Sequence, residues 1–223
     1  MDSHEVRREW AERSGEYSPD YYAYYGPDET SESIRSIADR MTGSDPAILE
    51  LGCSSGRHLA DLYEHGYREL AGIELNGDAF DVMADAYPDL ADAGTFYHDS
   101  IENVVETVPD DHFDLVYSVE TLQHLHPDVT WVFDELVRIT DGHVVTVENE
   151  GDRDEQESGA TGADRDDDAV SYVNDEFPLY YRDWDRIFTE RGLEAIQVTD
   201  DEQDVVHDVD TVRAFRTPAA ADQ

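Results

Sequence analysis

The chain has 223 residues, 39% of them hydrophobic, and sets 15 Lys+Arg against 55 Asp+Glu for a formal net charge of −40. Apolar runs at regular spacing, with 7 Phe, 13 Tyr and 3 Trp, exclude a disordered acidic chain and predict one large-cored domain over residues 1–223. The acid excess argues against a nucleic-acid partner. The single Cys53 excludes an internal disulfide or a cysteine-cluster metal site, and the lack of an apolar leader or membrane-length run predicts a cytoplasmic protein without membrane contact.

Residues 1–42 read as N-terminal cap helices. Trp10, Tyr17, Tyr21, Tyr22, Tyr24 and Tyr25 crowd their first part, and Ser18-Pro19 and Gly26-Pro27 mark breaks. Ile34, Ile37, Ala38 and Met41 then follow helical spacing. Over 47–148 short apolar runs alternate with helical segments. Strands are predicted at Ala47–Leu51, Glu69–Glu74, Gly94–Tyr97, Phe113–Val119 and His143–Glu148, and helices near 56–65, 77–86, 101–106 and 128–140. That alternation implies right-handed crossovers and a parallel sheet.

Residues 149–169 hold nine acids, two Arg and almost no apolar residue, and read as a solvated loop insertion or lid. In the C-terminal part, 170–217, Tyr180–Arg191 suits a helix stopped by Gly192. Leu193–Thr199 and Thr211–Thr217 suit two strands joined without a helix, hence an antiparallel pair at the sheet edge. The predicted fold is α/β: a Rossmann-like seven-stranded, mostly parallel sheet in the order 3-2-1-4-5-7-6, with helices on both faces.

Glu50, Glu74, Asp99, Glu120 and Glu148 each fall at or just past the carboxyl end of a predicted strand. Ligands of open α/β sheets bind at those ends, so a row of acids there would face a polar ligand. The sharpest motif is Ile48-Leu49-Glu50-Leu51-Gly52-Cys53-Ser54-Ser55-Gly56, a strand running into a small-residue turn and then a helix. Glycines let the backbone come close to a ligand, and the helix start adds unpaired N–H donors. A dinucleotide fingerprint fails here, because Ser54 and Arg57 stand where its second and third glycines belong. A phosphate loop of the Walker type fails as well: it needs a lysine, and every basic residue is Arg.

The nonapeptide resembles motif I of class I methyltransferases that use S-adenosylmethionine (SAM), with Glu50, Gly52 and Gly56 matching and Ser54 replacing the middle glycine. Ala71-Gly72-Ile73-Glu74-Leu75-Asn76 looks like the second-strand motif, and His98-Asp99-Ser100-Ile101 like the third. Phe113 to Leu125 resembles the segment after strand four in small-molecule methyltransferases. The resemblance implies SAM as cofactor and S-adenosylhomocysteine as product. It places Glu50, Gly52, Cys53, Ser54 and Gly56 at the methionine end, and Glu74 and Leu75 at the ribose. Asp99, Ser100 and Ile101 would take the adenine, and Ser118 and Val119 would line the pocket under the transferring methyl.

A base is needed only if the acceptor must lose a proton; Glu120, His124 and His126 are candidates. His98, His124 and His126 share no metal-ligand spacing, so no metal is expected. Trp10, Tyr21 and Tyr25 could close over the site, with Phe177 to Tyr181 and Trp184 as another wall. No [DNS]-P-P-[YF] element follows strand four, which disfavours amino methylation of adenine or glutamine, and the cysteine for cytosine methylation is missing. A small-molecule acceptor is therefore expected; a SAM-binding regulator without catalysis and a protein side-chain methyltransferase are the alternatives. So many acids without one Lys also look like a protein of a halophilic cytoplasm, where salt shortens screening from ~10 Å at 0.1 M to ~3 Å at 1 M.

Overall fold

Ile48-Leu49-Glu50-Leu51 is buried at every position, as a strand covered on both faces must be, and it sits at the centre of the sheet. The computed structural model describes residues 2–151, 170–173, 177–198 and 210–218. It contains α1 (Ser3–Ala11), α2 (Pro19–Tyr25), α3 (Glu29–Met41), β1 (Ile48–Leu51), α4 (Arg57–Glu64), β2 (Leu70–Glu74), α5 (Asp78–Ala86), α6 (Pro88–Ala93) and β3 (Thr95–His98). Then follow α7 (Ile101–Val105), β4 (Phe113–Val119), α8 (Val132–Ile139), β5 (Thr140–Asn149), β6 (Val170–Val173), β7 (Phe177–Tyr180), α9 (Trp184–Thr189), β8 (Glu194–Ile196) and β9 (Asp210–Arg216).

Seven strands form one sheet in the order β3-β2-β1-β4-β5-β9-β8, and β6 and β7 form a separate hairpin. β3 to β5 pair in parallel, while β9 runs antiparallel to both β5 and β8. This is the expected order 3-2-1-4-5-7-6 once the hairpin is left out of the count. Chain order reverses between β1 and β4, and the crevice at their carboxyl ends is where such sheets take ligands.

Alternation along each strand feeds two cores. Leu49, Leu51, Ile73 and Val116 pack with Val105, Phe133, Leu136, Trp184 and Phe188, beneath α7, α8 and α9. Ile48, Leu115, Tyr117 and Val145 pack on the other face with Ile34, Ile37, Leu59, Leu62 and Met83, beneath α3, α4 and α5. Trp184 and Phe188 are fully buried, each worth roughly 1.5–3 kcal/mol of apolar burial.

Several boundaries differ from expectation, among them the helix expected near 128–140, which spans Val132–Ile139. Phe177–Tyr180 pairs with Val170–Val173, so the helix expected over Tyr180–Arg191 is confined to Trp184–Thr189, started by Asp183 accepting from the Arg186 N–H. Pro88 opens α6 as a new helix, because proline suits a first helical position and cannot continue the helix before it. β5 begins at Thr140, three residues before the expected start. Of the acidic loop at 149–169, residues 152–169 lie outside the described residues, as do Thr199 and the acidic stretch 200–209. No helix among the described residues is long and apolar enough to cross a membrane.

Candidate functional site

The turn after β1 is built from residues in left-handed backbone: Gly52 (φ +68), Ser54 (φ +48) and Gly56 (φ +79). Gly52 is required twice over. Its φ disfavours a side chain, and a Cβ there would run into the side chain of Thr121 across the crevice. Ser54 holds the same region at a cost of about 1–3 kcal/mol. Its N–H is held by Oε2 of Glu74 at 2.8 Å, while Oε1 of Glu74 accepts from the Asn76 N–H at 2.7 Å. One carboxylate thus ties the β1 turn to the β2 turn. Burial raises its pKa.

Glu50 faces the same crevice from within β1. It is 2% exposed, and its Oε2 makes no hydrogen bond. Burial pushes its pKa up to about 8, against the pull of the Tyr117 hydroxyl and the Arg57 guanidinium. A buried carboxylate oxygen without a donor is costly, and that cost is relieved by a ligand that brings a cation or N–H groups. Beyond β3, Asp99 Oδ1 accepts from the Ser100 N–H (2.7 Å) and from Asn103 Nδ2 (2.8 Å), which fixes the carboxylate at the lip of the crevice.

The opposite lip is the turn after β4, held from beneath by Glu148. That side chain is fully buried. Its Oε1 accepts from Ser118 Oγ (2.7 Å) and from the N–H groups of Leu122 (3.0 Å) and Thr121 (3.2 Å), and Oε2 from that of Gln123 (3.1 Å). Arg182 clasps the same turn from the far side, donating to the carbonyls of Leu122 and Leu125. Burial moves Glu148 up to about 7 and Arg182 down to about 10, and Asp210 nearby is likewise raised to about 7 by burial and by Glu120. Glu148 therefore holds the wall of the crevice and does not face its ligand, contrary to the row of five acids expected from spacing.

The N-terminal helices roof the crevice. Trp10 lies with its ring centroid 4.8 Å from that of His124 and 4.4 Å from that of Phe177. Arg7 reaches Glu102 at 3.4 Å, and Asn76 Nδ2 donates to the Arg13 carbonyl at 3.0 Å, so the roof is tied to α7 and to the β2 turn. Arg57 pairs with Asp28 at 2.6 Å and lies over the Tyr22 ring.

One cavity runs beneath this roof. It brings together Glu50, Gly52, Cys53, Ser54, Glu74 and Leu75 with Asp99, Ser100, Ile101, Val119 and Glu120, and with His124, His126 and Trp10. Four expected residues stand elsewhere. Gly56 is off the wall; a Cβ there would meet Met83 and Leu90, so its smallness serves helix packing. Ser118 is fully buried and spends its hydroxyl on Glu148. Tyr21 and Tyr25 leave the wall to Tyr17 and Tyr22, Tyr25 being 62% exposed. Of the second aromatic cluster, Phe177 backs Trp10 and Trp184 belongs to the core. Sequence reasoning passed over Arg7, Arg13 and Glu102, which line the cavity with no motif to mark them, and gave no role to Asn76 at the end of the second-strand motif. Among the described residues no group of His, Cys, Asp and Glu could hold a metal.

Residues 48–142 match the family model of a methyltransferase domain. A search of curated proteins finds no match. The fold matches many solved structures. One is Burkholderia thailandensis 1,6-didemethyltoxoflavin-N1-methyltransferase with 1,6-didemethyltoxoflavin and S-adenosylhomocysteine bound (TM-score 0.68, 13% identity, 97% of this chain and 91% of that one). A Haloferax volcanii chain solved with the Trm112 methyltransferase activator matches at TM-score 0.63 and 16% identity, over 98% and 100%. A SAM-dependent methyltransferase from Mesorhizobium loti matches at TM-score 0.60 and 17% identity, over 89% and 100%. At these identities the likeness establishes the fold.

Proposed function

We propose that this chain, a methyltransferase with SAM as its cofactor, passes the methyl group to a small-molecule acceptor held between the N-terminal helices and the turn after β4. The observation that carries the reading is the roofed cavity at the carboxyl ends of β1, β2 and β4. Its floor is strand-end acids and a glycine turn, and its roof is aromatic. Such a chamber excludes water and suits a compact ligand.

The residues fit the cofactor on their own chemistry. Glu50 offers an unpartnered carboxylate oxygen to an ammonium group, beside a backbone that Gly52 keeps bare. Glu74 retains lone pairs beyond its two N–H donors for a neutral diol. Asp99, with Ser100 and Ile101 beside it, suits an exocyclic amine over a flat ring. When bound, SAM supplies a methyl group on a sulfonium, open to in-line displacement. The chain's own part is to orient the acceptor and keep water out.

Titration calorimetry with S-adenosylhomocysteine in multimolar KCl tests the cofactor assignments. Binding is expected for the full chain, and Glu74→Ala should weaken it by about tenfold or more, as the loss of charge-assisted hydrogen bonds does. Undiminished affinity in that variant would remove Glu74 from the ribose. Binding without turnover over a broad metabolite panel would favour a regulator over an enzyme. The charge of −40 and the absence of Lys support work in a high-salt cytoplasm.

A further inference from the structure

His124 is a cavity histidine whose hydrogen bonding leaves a defined lone pair on its second ring nitrogen. Its Nδ1 stands 2.9 Å from the Pro178 carbonyl oxygen. A carbonyl only accepts, so Nδ1 carries the proton, and Nε2, with no partner among the described residues, presents a bare lone pair. The ring is fixed from three sides. Glu148 and Arg182 hold the turn that carries it, β7 supplies the carbonyl, and Trp10 from α1 flanks its face at 4.8 Å. Burial, with Arg182 nearby, brings its pKa down to about 4, so the ring is neutral at any working pH. Trp10, backed by Phe177, presents an aromatic wall beside it whose indole Nε1–H has no partner.

Resting on the methyltransferase reading above, we propose that His124 is a catalytic residue whose Nε2 takes the proton lost by the reacting atom of the acceptor. The acceptor is accordingly a planar ring compound with an O–H or N–H at the atom methylated. The heteroatom's lone pair forms the bond to the methyl carbon, the carbon–sulfur bond breaks, and its electron pair stays on sulfur. The heteroatom's proton passes to Nε2, and the resulting imidazolium gives it up to water. A weak base is adequate, because a methylated heteroatom still holding its proton is a strong acid, so the proton moves late.

The test uses the full chain in multimolar KCl, loaded with S-adenosylhomocysteine and labelled with nitrogen-15 in histidine; a H124Q spectrum assigns the signal. Long-range proton–nitrogen NMR should find a neutral ring protonated on Nδ1, with the Nε2 signal moving when 2-naphthol or benzimidazole is added. In assays with methyl-labelled SAM, label should enter those two probes and spare 2-methoxynaphthalene and 1-methylbenzimidazole. H124A and H124Q should each lose about 100-fold or more in rate while S-adenosylhomocysteine affinity stays within about twofold. A ring protonated on Nε2, label in the proton-free probes or in none, or an undiminished rate in either variant would overturn the proposal. Failure of the unaltered chain to bind S-adenosylhomocysteine would instead sink the reading on which it rests.

Discussion

Ser54 stands where the resemblance calls for glycine, and its backbone pays for the difference with φ +48. The Glu74 carboxylate offsets that cost by capturing its N–H. Ser54→Gly should therefore leave S-adenosylhomocysteine affinity within about twofold and change stability by less than about 1 kcal/mol, since glycine relieves strain but adds unfolded-state entropy. A large loss of affinity would show the hydroxyl itself in contact with ligand. Gly52→Ala should behave oppositely, because its Cβ must displace Thr121, whose hydroxyl is anchored to the Val119 carbonyl at 3.0 Å. Denaturant unfolding should show a loss of about 1–3 kcal/mol, together with loss of ligand binding. Glu50, Glu74 and Asp99 were legible in the sequence because strand ends repeat at a spacing a reader can count. Gly56 and Ser118 were not, because a small residue beside a motif serves packing and hydrogen bonding as readily as a ligand.

At the level of elements, the sheet was readable because β1, β2 and β4 carry buried apolar runs at regular spacing and the crossovers between them leave one topology. The hairpin of β6 and β7 escaped notice: Phe177-Pro178-Leu179-Tyr180 is too short to show a period, and its partner strand follows an acidic stretch. The roof was legible in outline only. A helix turns about 100° per residue, so a crowd of tyrosines does not say which of them face in, and Tyr17 and Tyr22 do so in place of Tyr21 and Tyr25. The turn after β4 depends on elements far away in sequence, with Glu148 on β5 and Arg182 after β7. Glu148→Ala removes the acceptor of three backbone N–H groups and one hydroxyl at a buried site. A loss of roughly 3–5 kcal/mol is expected in chemical unfolding, with weakened ligand binding in the folded fraction. A loss under about 1 kcal/mol would mean the turn holds itself.

For the whole molecule, the net charge of −40 divides into acids in water and a few that the fold has enclosed. Four of the enclosed group carry raised pKa values, each chiefly through burial: Glu74, Glu50 at about 8, and Glu148 and Asp210 at about 7. The folded state therefore binds protons that the unfolded chain, with carboxyl groups near pKa 4, has released. That contribution is fully present below about pH 4 and is lost as pH rises through 7 to 8. His124 acts in the other direction. Its pKa falls to about 4 on burial, so its contribution is present above about 6.5 and is lost as pH falls through about 4. General repulsion among the outer acids deepens the alkaline loss, and salt screens that part far more than it screens the buried groups. Thermal melts in multimolar KCl should thus show the highest Tm near pH 6 and a steady fall from there to pH 9, with Glu50→Gln flattening the alkaline limb. A profile flat between pH 6 and pH 9 at high salt would mean that water reaches these carboxylates. Dialysis to about 0.1 M salt at neutral pH should unfold the chain, because there the outer acids repel across a screening length of ~10 Å and only 15 Arg stand among them.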